Sequence, residues 1–261
     1  MATDQLRAER VPDQLLEVKV LDRTIAATKS EKLLGVLISQ DMSWVPHFWG
    51  ETWRTKGNHV GVIPDLLRRL GLLRHLGRVA SRLQMSRFVP GLFGSKVCYA
   101  LPLLSSVCGL EDFSCYAKNK ISCPKEIVSK LQVLQNQAAR LMRPDIHIPH
   151  LTPTSEVIDA AGLLSIHQQM ALSIIKLALR VIRTGHPTHL ANKFVIRSGT
   201  GRKTKRIVIK HQRLNISLEG FVHQASVLVN RLPEDIWHEM SPNGLKVKLK
   251  VWVRDHISVK P

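Results

Sequence analysis

Positively charged side chains are the residues whose number and spacing indicate a chemistry in this sequence. The 261 residues include 38 Lys and Arg against 20 Asp and Glu, a formal net charge of +18. Residues 61–100 hold seven cations and one carboxylate, and residues 191–261 hold fourteen cations and five carboxylates, whereas residues 1–60 are balanced. Positive charge concentrated in this way indicates a polyanionic partner, although a solvated surface is the other interpretation.

We expect the phosphate-contacting cations to lie in two windows, residues 66–96 and 202–206. They are Arg68, Arg69, Arg74, Arg78, Arg82, Arg87 and Lys96 in the first window, and Arg202, Lys203, Lys205 and Arg206 in the second. The second window begins just after Gly199 and Gly201, which predicts an exposed loop. Such contacts neutralise phosphates without reading bases, so we predict salt-sensitive, largely sequence-independent binding to nucleic-acid duplexes.

Other residue patterns give weaker indications of chemistry. Adjacent carboxylates and closely spaced histidines occur, but one pair follows a predicted apolar helix and the others fall in predicted turns or a helix cap, where a structural role is the simpler explanation. These are Glu111–Asp112, Glu234–Asp235, His147–x–x–His150 and His186–x–x–His189. The four cysteines lack the C-x2-C spacing of zinc sites, so we expect reduced, metal-free thiols.

The hydropathy of the chain bears on its location. No apolar stretch is long enough to cross a bilayer, and residues 1–10 are polar rather than signal-like. We therefore expect a nuclear or cytoplasmic protein that is not secreted and has no membrane partner.

The elements that must position these cations are predicted to be mainly α-helical. Apolar residues recur at helical spacing between residues 63 and 183. Helices are predicted from about residue 63 to a break near Gly77, and over 87–104, 126–142, 153–161, 166–183, 219–230 and 245–256. Short strands are predicted over 15–21 and 32–39 as an N-terminal β-hairpin, with Gly35 inside the second strand, and a minor strand is predicted near residue 207.

Five short motifs, taken in order, resemble a known family. They are residues 32–38 (KLLGVLI) with 40–44 (QDMSW), 131–140 (LQVLQNQAAR), 152–154 (TPT) with 162–166 (GLLSI), 229–236 (VNRLPEDI) and 245–250 (LKVKLK). They resemble the region after the catalytic palm of non-LTR (LINE-like) retrotransposon reverse transcriptases. The order and spacing hold from about residue 15 to about residue 257.

The resemblance implies a division of the chain and a role for one turn. Residues 1–55 would be an end-of-palm-like β segment, residues 56–190 a helical thumb-like domain, and residues 191–261 a basic C-terminal region. Leu34 and Gly35 would lie near the primer terminus. The fold it implies is a helical thumb-like bundle.

The resemblance also implies a function without catalysis. The family's paired aspartates of the Y-x-D-D type have no counterpart in this sequence, so we expect no catalytic residue, no metal site and no cofactor here. Mg²⁺ would belong only to the missing palm. The expected function is that of a fragment of an RNA-directed DNA polymerase that binds the RNA/DNA template–primer duplex, with the palm as a further partner, and is not active alone. The alternative is a relic or repurposed helical structural or interaction protein without a nucleic-acid role.

Overall fold

Helices dominate the structure, with short antiparallel strands near its beginning and around residue 207. The computed structural model describes residues 18–20, 23–25, 30–39, 45–50, 60–99, 101, 125–145, 152–197, 206–209 and 220–257. The predicted mainly α fold with minor β structure is confirmed. No helix in these ranges is long and apolar enough to span a bilayer.

The N-terminal strands form two separate two-stranded sheets. Strand β1 (Val18–Val20) pairs with β2 (Arg23–Ile25), and β3 (Ser30–Leu33) pairs with β4 (Val36–Ser39), both antiparallel. The predicted N-terminal antiparallel hairpin is confirmed, but β1 and β3 each pair with the strand that follows them and not with each other.

Gly35 lies in a turn rather than inside a strand. Leu34 and Gly35 have φ angles of 49° and 84°, and they form the turn between β3 and β4. Glycine adopts such positive φ without steric cost, whereas an extended strand requires negative φ. The prediction of one continuous strand over 32–39 is therefore wrong, because the chain reverses at this glycine.

Helices of the first described half follow the apolar spacing. They are α1 (Val45–Trp49), α2 (Val62–Leu76), α3 (Arg82–Phe88), α4 (Ser95–Cys98) and α5 (Lys125–Met142). Helix α2 ends at Leu76 before Gly77, as the sequence predicts. Helix α3 begins with a capping box, in which the Ser81 hydroxyl accepts from the Gln84 amide and the Gln84 side chain accepts from the Ser81 amide.

The predicted single helix over 87–104 is interrupted. A π-helical segment (Val89–Gly94) separates α3 from α4, and α4 ends at Cys98 because Tyr99 has extended backbone angles. Pro90 lies in this segment and has no amide hydrogen for the α-helical ladder, which is the physical reason for the interruption. Residues 102–104 lie outside the described ranges.

The second half is built around one long helix. Its elements are α6 (Thr154–Ala160), α7 (Ile166–Thr184), α8 (Thr188–Ala191), β5 (Ile196–Arg197), β6 (Arg206–Ile207), α9 (Phe221–Asn230), α10 (Glu234–Trp237) and α11 (Pro242–His256). Helix α7 opens with a Ser165–Gln168 capping box and ends at Gly185 in the left-handed conformation.

Helix α7 is the centre of the core. Ile166, Met170, Ile174 and Ala178 are fully buried on it, and α5, α9 and α11 pack around it. Helix α2 packs against α5, so the predicted N-terminal helices join the same cluster of buried side chains. That cluster includes residues from all three segments of the predicted division.

Candidate nucleic-acid interface

An open groove lies between the β3–β4 turn, the N-terminal half of α2, and α4. Its volume is about 520 Å³, and its lining residues are Lys32, Gly35, Val60, Asp65, Arg69, Ser95, Lys96 and Tyr99. Three of them are cations and one is a carboxylate, so the groove carries excess positive charge. It therefore brings the turn assigned to the primer terminus together with two of the predicted phosphate contacts, Arg69 and Lys96.

The β3–β4 turn is held in the groove by Tyr99. The Tyr99 hydroxyl donates a hydrogen bond to the Leu34 carbonyl oxygen. A Cβ atom on Gly35 would stand 3.2 Å from the same hydroxyl, so a residue with a side chain would crowd this contact as well as strain the backbone. The Leu34 side chain is 85% exposed and points away from the core.

Asp65 forms ion pairs with both predicted phosphate contacts of the groove, Arg69 and Lys96. Its Oδ2 lies 3.1 Å from Arg69 Nε and 3.5 Å from Lys96 Nζ. Arg69 also donates from Nη1 to the Leu92 carbonyl oxygen at 2.8 Å, which ties α2 to the π-helical segment. Lys96, which we expected to contact phosphates, is half-buried and pairs with α2 through Asp65.

Two other predicted contacts lie away from the groove, Arg74 on the opposite flank of α2 and Arg82 at the start of α3. Arg74 is five residues from Arg69, which places the two side chains about 140° apart around the helix. Arg74 donates to Gln137 of α5 at 3.0 Å, and Arg82 pairs with Asp145 at 3.3 Å. Arg143 also binds Asp145, and its hydrogen bonds lower the pKa of that carboxyl. These arginines connect helices to each other and do not line the groove.

Three of the predicted cations face solvent. The side chains of Arg68, Arg78 and Arg87 are exposed and make no hydrogen bond or ion pair with any described residue. Arg68 is on the outward face of α2, next to Asp65 rather than next to the α5 contact. Arg78 is in the turn after α2 and Arg82 begins α3, so Arg68, Arg74, Arg78 and Arg82 do not share one helix face.

Arg206, the described residue of the second basic window, lies in a two-stranded hairpin. Arg206 is the first residue of β6 and stands opposite Arg197 of β5, with both side chains exposed. Like charges opposite each other in a sheet repel, so a bound anion would stabilise this pair. Arg202, Lys203 and Lys205 lie outside the described residues. Arg206 lines a small recess beside α9 and α10, separate from the groove.

The hairpin is anchored to the core by Asn230. This residue ends α9, its Nδ2 donates to the Ile207 carbonyl oxygen, and its Oδ1 accepts from the Ile207 amide, both at 2.8 Å. Asn230 belongs to the motif over 229–236 that carries the resemblance. In the structure, these two hydrogen bonds of Asn230 hold β6 on α9.

Sequence reasoning missed three groove residues and a row of cations elsewhere. Lys32, Asp65 and Tyr99 come from separate elements, and no spacing along the chain connects them. The missed row is Lys246, Lys250 and Arg254 on α11, whose four-residue interval could have been read from the sequence. Helix α11 was predicted, but its cations were not assigned to a site.

The described residues do not form a metal centre. Within them, no three His, Cys, Asp or Glu side chains stand close enough together to hold an ion. They therefore do not fit the Mg²⁺ site that the resemblance assigns to the palm. His186 and His189 are exposed, and Cys98 is a free thiol whose pKa is raised by burial. Cys108, Cys115, Cys123, His147 and His150 lie outside these ranges.

Comparisons with known proteins give no family for the chain. Neither the protein-family models, nor the curated proteins, nor the solved structures include a match.

Proposed function

We propose that this chain is a non-catalytic, reverse-transcriptase-like module that binds a nucleic-acid duplex through the groove. The observation that carries the proposal is the contact between Tyr99 and the Leu34–Gly35 turn beside Lys32, Arg69 and Lys96. The resemblance assigns this turn to the primer terminus, and the groove surrounds it with cations that suit a phosphate backbone.

Two exposed cations belong to this surface. Lys32 lines the groove, and Arg68 lies one helical turn from Asp65 on α2. Neither is engaged with a described residue, so each can bind a phosphate without breaking a contact. Arg69 and Lys96 act mainly by shaping the groove, because Asp65 binds both.

A specific observation favours the alternative function. Arg69, Arg74, Arg82 and Lys96 all have partners within the chain. A helical scaffold without a nucleic-acid role would use its cations in this way, and its remaining arginines would only be solvated.

Salt-dependent binding separates the two candidates. We expect a labelled RNA–DNA duplex to bind at low salt, with an affinity that falls as salt rises. The groove variant, Lys32→Gln combined with Arg68→Gln, should flatten the slope of log K against log salt by about 1.8, at about 0.9 per phosphate contact on a B-form duplex and somewhat less on other forms. The matched control is Lys130→Gln with Lys193→Gln, which removes the same charge elsewhere and should leave the slope unchanged.

Two results would count against the proposal. Undetectable duplex binding by the wild type at low salt favours the scaffold. Equal slopes for the groove variant and its control mean that a bound duplex does not use the groove. We also expect no primer extension by the chain alone, and Mg²⁺-dependent DNA synthesis by a clean preparation would refute that expectation.

A further inference from the structure

Helix α11 separates its cations onto two flanks with different surroundings. Lys246, Lys250 and Arg254 recur every four residues and therefore share one flank. Lys248 is on the other flank, where its Nζ lies 2.7 Å from Glu239 and 3.9 Å from Asp235. One flank is thus neutralised by carboxylates, and the other is a row of cations.

Helix α7 adds a fourth cation to the row. Burial is the largest cause of the lowered pKa of Lys176, and the positive charges of Lys246 and Lys250 lower this pKa further. Burial also lowers the pKa of Lys250, with Arg254 and Lys246 acting in the same direction. These side chains are close enough to repel one another, and no described carboxylate opposes the shift in either lysine.

The groups facing this cluster are few. The Lys250 Nζ donates to the Gly162 carbonyl oxygen at 2.8 Å, and Arg254 lies 4.0 Å from Asp159. The Cys98 thiol, which contacts Gln169 at 3.5 Å, is the other group beside Lys176. Four cations therefore share one distant carboxylate among the described residues, and a bound anion would relieve their mutual repulsion.

We propose that the face formed by Lys176, Lys246, Lys250 and Arg254 is a second phosphate-binding surface, which takes the sugar–phosphate backbone of a nucleic acid. That the ligand is a nucleic acid rests on the proposed function. The evidence for a phosphate-binding surface is the cluster of cations itself. Four residues of helix rise about 6 Å, so the cations of the row stand apart from one another along α11. Each can therefore contact a different phosphate of one strand, on which the charges recur every ~3.4 Å of the duplex axis.

An anionic membrane is the competing partner. The exposed Val247 and Val251 stand near the row on α11, as in an interfacial helix. Two valines offer a small apolar surface, Lys176 is half-buried, and the Lys250 ammonium is bound to the Gly162 carbonyl oxygen rather than extended toward a flat surface. The nucleic-acid backbone is the better match.

Helix α11 itself provides the matched pair of variants for the test. Lys250→Gln and Lys248→Gln remove the same charge two residues apart, one from each flank. In anisotropy titrations of the full chain with a labelled RNA–DNA duplex, Lys250→Gln should flatten the salt slope by about 0.9, and Lys246→Gln with Lys250→Gln by about 1.8. Lys248→Gln should leave it unchanged, and circular dichroism checks that every variant is folded.

A measurement on the wild-type chain keeps the proposal testable should a variant misfold. In acylation of lysines, read by mass spectrometry, Lys176 and Lys250 should react faster than Lys248, because burial lowers the pKa of the first two and the hydrogen bond to Glu239 raises the pKa of the third. Bound duplex should protect both lysines and leave Lys248 unchanged.

The outcomes separate this inference from the proposed function. A bound duplex that neither protects Lys176 and Lys250 nor distinguishes Lys250→Gln from Lys248→Gln overturns the inference and leaves the groove in place. A flattened slope for Lys250→Gln with no effect of the groove variant supports this face and overturns the groove. Absence of duplex binding overturns both, and binding to phosphatidylserine vesicles in its place identifies the membrane as the partner.

Discussion

Asn230 offers the sharpest test of how the basic hairpin is held. Replacing it by alanine removes both 2.8 Å hydrogen bonds to the Ile207 peptide groups, and Ile207 is 3% exposed. A buried amide or carbonyl left without a partner costs about 1 to 3 kcal/mol, so the two Ile207 groups together would cost about 2 to 6 kcal/mol if water were fully excluded. Water can reach part of this site because Arg206 is exposed, so we expect Asn230→Ala to destabilise the protein by about 3 kcal/mol.

Urea denaturation followed by circular dichroism measures this loss. In a thermal melt the same change should lower Tm by roughly 6 to 12 °C. Asn230→Asp keeps the acceptor for the Ile207 amide but loses the donor to its carbonyl, so it should fall between wild type and Asn230→Ala. Asn192→Ala is the control, since this exposed side chain makes no hydrogen bond with the described residues. A free energy of unfolding for Asn230→Ala within about 0.5 kcal/mol of wild type would refute the reasoning.

Two further predictions concern packing and pH. Gly61→Ala should destabilise the protein by about 1 to 3 kcal/mol, because a Cβ there would meet the Phe48 carbonyl oxygen at 2.6 Å. Gly71→Ala is its control, as open space surrounds this helical position and alanine should stabilise α2 by about 0.5 to 1 kcal/mol; equal effects of the two changes in urea denaturation would contradict this. The hydrogen bond from Lys248 lowers the pKa of Glu239 below its ordinary value of about 4.5, so its contribution is present above that pH and is lost as pH falls through the folded-state pKa. Glu239→Gln should therefore destabilise the protein at neutral pH and not in strong acid, and a pH-independent difference in unfolding free energy would argue against the pair.

Helix positions were readable from the sequence because they depend on local spacing. Ile63, Leu66, Leu70 and Leu73 recur at the helical period, and all four are buried in α2. The stop at Gly77 and the capping box at Ser165 are also local signals, and the structure has both. Strand pairing was predicted less well, since it depends on which segments meet rather than on the period within one segment.

The sequence by itself also located the positive charge, but it could not say what each cation does. Arg68 and Arg69 are neighbours with the same side chain, yet one faces solvent and the other binds Asp65 and the Leu92 carbonyl. The two side chains are rotated by about 100° around α2. Which of these directions faces a neighbouring element depends on how α2 packs in the tertiary structure.

The groove and the cluster of cations around Lys176 are set by tertiary packing and could not be predicted from the sequence. Gly35, Asp65 and Tyr99 meet because a turn, a helix and the end of another helix pack together. Lys176 approaches Lys246 and Lys250 across seventy residues of chain because α7 and α11 share a face. The sequence determined the helices and the sign of the charge through local periodicity and composition. The fold decided which charges are paired and which remain open, because long-range packing sets the distances between them.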